Sequence, residues 1–270
     1  MKSMGDALVG VIPAAGLGTR FIQPGNRRRL PKPLLPLIGR VLIEYPIENL
    51  RSIGANEVYI IVGPEPEFDL LKSYLGDGSP WGMEFTFLCQ RERRGLASAI
   101  ELLRGRVTTA FAVALGDDVT ASRSMEEGLR LFTRKKAEAL EFCIAEPEPS
   151  AIRRSCSIKF DREYRITEII EKPRALSRGY RGIGIYLFRE TLFDFIAATP
   201  VSKRSGQVEL SDTIQMIARQ GSAYTYPISG WNVNVNVYQD FLRASDLILR
   251  RLPKLTAKIR PDARRTGARI

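Results

Sequence analysis

Residues 8–35, LVGVIPAAGLGTRFIQPGNRRRLPKPLL, restrict this chain more than any other stretch. The apolar run 8–12 reads as a strand buried on both faces, which suits a parallel sheet. It runs into a turn of small residues, Ala14, Ala15, Gly16 and Gly18, followed by Thr19 and Arg20. Such a turn lets the backbone close on a ligand and aim several N–H groups at one anion. Arg20 adds a forked cation matched to phosphate oxygens. Twelve residues on, Lys32 stands between Pro31 and Pro33. Strand, turn and two cations together make a cradle for a polyphosphate.

The pattern downstream extends the sheet. Strands are expected at 57–62, 84–89, 110–115 and 140–145, with helices at 41–51, 68–75, 96–103 and 125–136. Pro46 is an awkward residue near the middle of the first helix. This alternation predicts an α/β fold with a Rossmann-like, doubly wound, mixed but mostly parallel sheet. Ligands of such sheets collect at the carboxyl ends of the strands, where the cradle, Gln90 and Asp117 all fall. From about residue 148 the character changes. A hairpin (155–160 and 164–170, around Asp161-Arg162) is followed by strands at 183–188 and 223–228 and helices at 191–198, 209–219 and 237–252. The expected organisation is one domain over 1–250, with a cradle-bearing half (about 1–147) and a lid-like half (about 148–250) packed on it. A basic tail, 251–270, follows.

Composition narrows the chemistry. The chain of 270 residues is 44% hydrophobic, enough for one large core or two modest ones. It has no apolar run of the roughly 20 residues a membrane span needs and no leader-like start, so a cytoplasmic protein is expected. It contains no histidine, which removes His-based acid–base and metal chemistry. Cys89, Cys143 and Cys156 lack metal or redox spacing, and the first two read as buried free thiols. Any metal must therefore take oxygen ligands, which favours magnesium or manganese. Of the net charge of +11, seven charges come from residues 250–270, with eight Lys/Arg against Asp262 alone. That distribution argues against nucleic acid as the main partner.

Further segments carry chemistry. FAVALGDD (111–118) is an apolar strand ending in carboxylates, where a hard cation bridging to a phosphate could be held. FLCQRERRGLASA (87–99) offers Gln90, whose acceptor and donor suit the O4/N3 edge of uracil or thymine, and Gly95, which allows close approach. IIEKP (169–173), RGIGIYLF (181–188) and ELSD (209–212) complete the set, Ser211 or Asp212 serving to cap or support a helix.

GLGTRF with LPKPLLP, and these segments with them, resemble the signature of the sugar-nucleotide pyrophosphorylases, nucleotidyltransferases that join a sugar 1-phosphate to an NTP. PAAGLGTRF is most similar to the UTP–glucose-1-phosphate uridylyltransferases, and PKPLLP to the glucose-1-phosphate thymidylyltransferases. The resemblance covers roughly residues 7–250 and implies a nucleotide half at about 1–147 and a sugar-binding half at about 148–250. It implies that Ala14, Ala15, Gly16, Gly18, Thr19 and Arg20 hold the nucleotide phosphates, and that Lys32 acts near the α-phosphate. It places the base on Gln90 and Gly95, the sugar near Gly116, Glu171 and Gly184, and the sugar phosphate on Lys172. Asp117 becomes the ligand of a Mg2+ cofactor, with Asp118 its supporting neighbour.

One departure stands out. The family's late motif carries a second metal-binding aspartate, whereas residues 230–240 read GWNVNVNVYQD. Registering on Asn236 and Asp240 puts Asn234 in that place, and registering on Trp231 puts Val233 there. The first register is preferred because residues 240–244 then match the family's next helix. An amide oxygen can ligate a hard cation but brings no charge, so weaker magnesium binding is expected.

The implied reaction is transfer of a nucleotidyl group from UTP or dTTP to a sugar 1-phosphate, glucose 1-phosphate first. The attacking phosphate is already ionised, so a histidine-free chain needs no general base. Alternatives are CTP or GTP with another alcohol phosphate such as inositol phosphate or mannose 1-phosphate, a non-catalytic nucleotide-sugar sensor, or an RNA-binding role for the tail. Homo-oligomeric assembly is left open.

Overall fold

The computed structural model describes residues 8–16, 30–92, 94–174 and 178–251. β1 (Val9–Pro13) sits inside the sheet and sends alternate side chains to opposite layers, Val11 into one apolar cluster and Ile12 into the other. A single 3-10 turn (Lys32–Leu34) leads to a short ribbon of β2 (Pro36–Leu37) and β3 (Arg40–Val41). Next come α1 (Glu44–Ser52), β4 (Glu57–Val62), α2 (Glu67–Leu75), β5 (Glu84–Cys89), α3 (Leu96–Glu101) and β6 (Phe111–Ala114). α1 starts three residues later than the sequence pattern suggests. That places Pro46 in the first turn, where no intrahelical N–H bond is due and its missing donor costs little.

The chain continues through β7 (Asp118–Ser122), α4 (Met125–Lys135), β8 (Ala139–Glu146), α5 (Pro149–Ile152) and the hairpin β9 (Cys156–Phe160)/β10 (Ile166–Glu171). β11 (Gly179–Phe188), α6 (Leu192–Ala198), α7 (Leu210–Arg219), β12 (Ala223–Pro227), β13 (Gly230–Asn234) and α8 (Tyr238–Leu249) follow. α4 illustrates why such segments are helical. Met125, Gly128, Leu131 and Phe132 share its buried face, while Glu126 and Glu127 open it and Arg134 and Lys135 close it, in accord with the helix dipole.

Among the described residues nine strands join one sheet in the order β10-β9-β11-β6-β1-β4-β5, with β8 on β11 and β12 on β8. β6, β1, β4 and β5 are mutually parallel, and β11 runs antiparallel to β6, so the sheet is mixed as expected. β11 pairs with β8 along one edge. Its other edge is divided, Tyr180 and Arg181 lying on β9 and residues 185–188 on β6. A fork therefore opens in the sheet at residues 182–184.

Five short elements, β2, β3, α5, β7 and β13, were absent from the sequence reading. β7 and β13 form an antiparallel ribbon off the main sheet, with Asn234 opposite Asp118. A separate apolar cluster, including Leu37, Leu42, Val119, Val233, Val235 and Ala244, supports it. Burying side chains such as Val119 and Val233 contributes about 1.5–3 kcal/mol each, which is what fixes so short a ribbon. β11 also begins earlier than the expected 183, and Cys89 is half-buried where full burial was expected. No helix among the described residues is long and apolar enough to cross a membrane.

Candidate active site

Two adjoining cavities lie at the carboxyl ends of β1, β5 and β6 and beside the fork in β11; Leu96 and Leu115 line both. The first, about 380 Å³, is lined by Ala14, Ala15 and Gly16 after β1, by Lys32, and by Gln90 and Gly95 between β5 and α3. Asp117 and Gly116 also line it, although Gly116 was expected beside the sugar. The expected phosphate-binding residues Gly18, Thr19 and Arg20 lie outside the described residues. Gln90 is buried and hangs from the Val62 carbonyl through its own N–H. Its Nε2 donates to the Gly95 carbonyl at 3.2 Å, so this amide shapes the loop between β5 and α3. Gln207, not singled out from sequence, packs against Gly95 and joins the lining.

The second cavity, about 270 Å³, brings together Glu171, Lys172, Gly184, Asn234 and Asp118. Glu171 ends β10, and the Ser211 hydroxyl donates to its Oε2 at 3.3 Å. The helix-capping role expected of Ser211 or Asp212 is not what the structure shows, because both lie inside α7, whose N-cap is Glu209 with no side-chain cap bond. Burial raises the Glu171 carboxyl, with Lys172 acting in the opposite sense. Lys172 adopts φ +43°, a left-handed conformation unusual for a side chain of its length, and is half-exposed with Nζ 3.6 Å from Glu171.

The junction of the two cavities is a closed polar ring. Lys32 Nζ donates to Asp117 Oδ2 at 2.5 Å and to Asn236 Oδ1 at 3.3 Å. Asn236 Nδ2 donates to Asn234 Oδ1, and Asn234 Nδ2 approaches Asp117 Oδ1 at 3.4 Å. The β7–β13 ribbon makes this possible, because the Val235 N–H donates to the Asp117 carbonyl at 2.9 Å. Of the two registers read from sequence, Asn234 is the one beside Asp117, while Val233 is buried in the apolar cluster beneath. Asp240 accepts the N–H groups of Asn236 and Val237 and starts α8.

Asp118 faces inward. Its Oδ2 accepts the Gly184 N–H, and burial, followed by the neighbouring Asp117 charge, lifts its carboxyl to about 6. A side chain on Gly184 would collide with that same oxygen, so the close approach of β11 requires glycine here. Arg181, unremarked in the sequence, ties the parts together. Buried itself, it donates through Nε to Glu146 Oε2 at 2.9 Å and through Nη1 to Asn232 Oδ1 at 2.7 Å. Asn232 in turn donates to Thr120 Oγ1 at 2.8 Å, so β8, β11, β13 and β7 are bolted in one chain of bonds.

The ring offers oxygen donors only, and no group of three or more His, Cys, Asp or Glu residues suited to a metal exists among the described residues. One carboxylate, Asp117, and one amide, Asn234, where the two cavities join, would suit a hard divalent cation that takes its remaining ligands from phosphate or water. In the observed arrangement the amide nitrogen of Asn234 faces Asp117, and a half-turn of the amide would present its oxygen.

An α/β sheet that sets a small-residue turn and a lysine against a carboxylate, with a carboxylate-rich second cavity alongside, defines a protein built for phosphate-ester chemistry. The chain belongs to the nucleotidyl transferase family, whose family model matches residues 9–249. It is 30% identical over 251 residues to the low-salt glycan biosynthesis nucleotidyltransferase Agl11 of Haloferax volcanii, covering 89% of this chain and 66% of that protein. It therefore spans just under two thirds of that relative's length. It is 26% identical to UTP–glucose-1-phosphate uridylyltransferase 2 of Staphylococcus saprophyticus, covering 87% of this chain and 89% of that one. A solved structure of a candidate glucose-1-phosphate thymidylyltransferase from Bacillus anthracis, in complex with sucrose, superimposes with a TM-score of 0.80 at 25% identity. That match covers 92% of this chain and 97% of the other. The mixed, mostly parallel sheet with flanking helices is thus the fold of this family.

Proposed function

We propose that the protein transfers a nucleotidyl group from UTP or dTTP to a sugar 1-phosphate, glucose 1-phosphate first, releasing pyrophosphate. The observation that carries this reading is the pair of adjoining cavities with Lys32 and Asp117 at their junction. The relatives' activities on glucose 1-phosphate support it. Residues 1–250 act as one domain in the cytoplasm, and the tail from 251 is an appendage.

In this reading the small-residue turn and Arg20 hold the β- and γ-phosphates, and Gln90 and Gly95 meet the base. Glu171 and Gly184 hold the sugar and Lys172 its phosphate. A phosphate oxygen of the sugar attacks the α-phosphorus in line; one P–O bond forms as the bond to pyrophosphate breaks. Lys32 neutralises charge that builds on the α-phosphate oxygens, and the amide ring keeps Asp117 oriented. Magnesium, held by Asp117, by Asn234 after its amide turns, and by the phosphates, would supply further charge neutralisation when bound. Rate enhancement then comes from positioning and electrostatic stabilisation.

The test is pyrophosphate release with magnesium, crossing UTP, dTTP, CTP and GTP against glucose 1-phosphate, mannose 1-phosphate and inositol 1-phosphate. Turnover with UTP or dTTP and glucose 1-phosphate is the expected result. Turnover only with CTP or GTP moves the specificity and keeps the chemistry. Silence throughout, with a nucleotide sugar still raising Tm, makes the protein a sensor, and silence without binding removes the reading.

A further inference from the structure

The second cavity contains a carboxyl that the reaction above does not use. Glu141, in the middle of β8, is 1% exposed and lines that cavity. Its Oε1 accepts the Cys156 Sγ–H at 3.3 Å, and its Oε2 is buried with no hydrogen-bond partner. A buried carboxyl that lacks a partner is costly, and an apolar residue at a core position of a strand avoids that cost. The neighbours on β8, Leu140 and Phe142, are fully buried apolar residues.

The surroundings are shaped around the carboxyl. A side chain on Gly182 would collide with Glu141 Oε1 and come to 2.5 Å from Cys156 Sγ, so β11 leaves room for it by having none. The pairing of β11 with β8 slips between Gly182 and Tyr186, and resumes at Tyr186, the partner of Glu141. Burial lifts the carboxyl to about 8 and pushes the Cys156 thiol well above its ordinary range, so both are neutral near pH 7. Because Cys156 gives its hydrogen to Oε1, the acid proton of Glu141 resides on Oε2, the oxygen that has no acceptor.

We propose that Glu141 is a sugar-selecting residue, its Oε2–H donating to one hydroxyl oxygen of the sugar ring held in the second cavity. The inference rests on the nucleotidyltransferase reading of the two cavities. It adds a neutral donor to Glu171 and Lys172 and explains why the fork in β11 is lined by glycines and a cysteine where bulk would otherwise fill it.

The experiment is a substrate–mutant cycle. kcat/KM is measured for glucose 1-phosphate and its 2-, 3-, 4- and 6-deoxy analogues in the unmodified protein and in Glu141→Leu, Glu141→Gln and Glu141→Asp. One deoxy analogue should be used about 10–100-fold less well by the unmodified protein because its removal strands Glu141. In Glu141→Leu that single penalty should shrink to within about threefold, with the other three unchanged. Glu141→Gln, which retains an N–H donor, should keep most of it. If Glu141→Leu does not fold, Glu141→Asp decides, since withdrawing the carboxyl by one methylene should cut the same penalty at least about fivefold. An unchanged pattern of deoxy penalties in an active variant overturns the inference while leaving the parent reading intact. No turnover by the unmodified protein with any sugar 1-phosphate overturns both.

Discussion

Lys32 and Asp117, 85 residues apart in the chain, meet at 2.5 Å, ammonium to carboxylate, where the two cavities join. The lysine is rigidly presented by a 3-10 turn between prolines, and the aspartate follows the end of β6. Before substrate arrives, each neutralises the other. On the proposed reading, a polyphosphate entering the first cavity would compete with Asp117 for Lys32, and the displaced carboxylate would become available to a cation. Asp117→Ala should therefore lower kcat by about 10²–10³-fold with little change in fold. A folded Asp117→Ala protein with near-normal pyrophosphate release would remove Asp117 from the mechanism.

Asn234 holds Asp117 through an amide hydrogen, where a second carboxylate would repel it. Replacing it tests how the chain manages its cation. In Asn234→Asp the magnesium concentration giving half-maximal rate should fall about tenfold, because a charged oxygen ligand replaces a neutral one. The same variant should lose thermal stability in metal-free buffer from like-charge repulsion with Asp117. Unchanged magnesium dependence would mean that the nucleotide alone carries the ion.

Arg181 and Glu146 form a buried ion pair at the root of the β7–β13 ribbon. Removing only one partner leaves an uncompensated charge, so Arg181→Met should cost about 3–5 kcal/mol in chemical denaturation. Pairing it with Glu146→Leu should recover much of that loss. If the single and double variants unfold alike, the pair is not what secures the ribbon.

The raised Glu141 carboxyl has a sign that denaturation can read. The folded state keeps its proton up to about 8, whereas the unfolded chain releases it near 4.5. Between those values the folded state binds more protons, so this group's contribution to stability falls as pH rises. Glu141→Gln removes that slope, and its Tm advantage over the unmodified protein should grow from pH 5 to pH 8. Asp118 and Glu171, also raised, remain in both proteins and leave the comparison intact. A Tm difference independent of pH would mean that Glu141 is ionised within the fold.

Most of the main sheet was legible because its strands are local signals: 57–62 and 84–89 were read with the bounds that β4 and β5 have. Lys32, Gln90, Asp117, Glu171 and Lys172 were singled out because each sits in a motif that resembles the family's signature, and the structure sets all five on the two cavities. The β7–β13 ribbon was not. Its five-residue strands meet a partner more than a hundred positions away, as the 112-residue separation of Thr120 and Asn232 illustrates, and its apolar side faces a small cluster of its own. With the ribbon unseen, Asn236 and Asn232 had no visible partners. Arg181 and Gly182 were missed because the strand was expected to begin at 183. Glu141 was not singled out within the strand expected at 140–145, although an acid inside the apolar run LEFCI was the signal that could have marked it.

The divided edge of β11 has a consequence for how such a protein can change over generations. On the proposed reading the base is met by groups carried on the parallel strands and the sugar by groups beside the fork; Leu96 and Leu115 form the shared wall of the two cavities. Substitutions at Gln90 and at Glu171 or Glu141 touch different strands, so a lineage can exchange one specificity while keeping the other. The fold is a two-socket adaptor, and the glycine-lined fork is the socket that can be rewired.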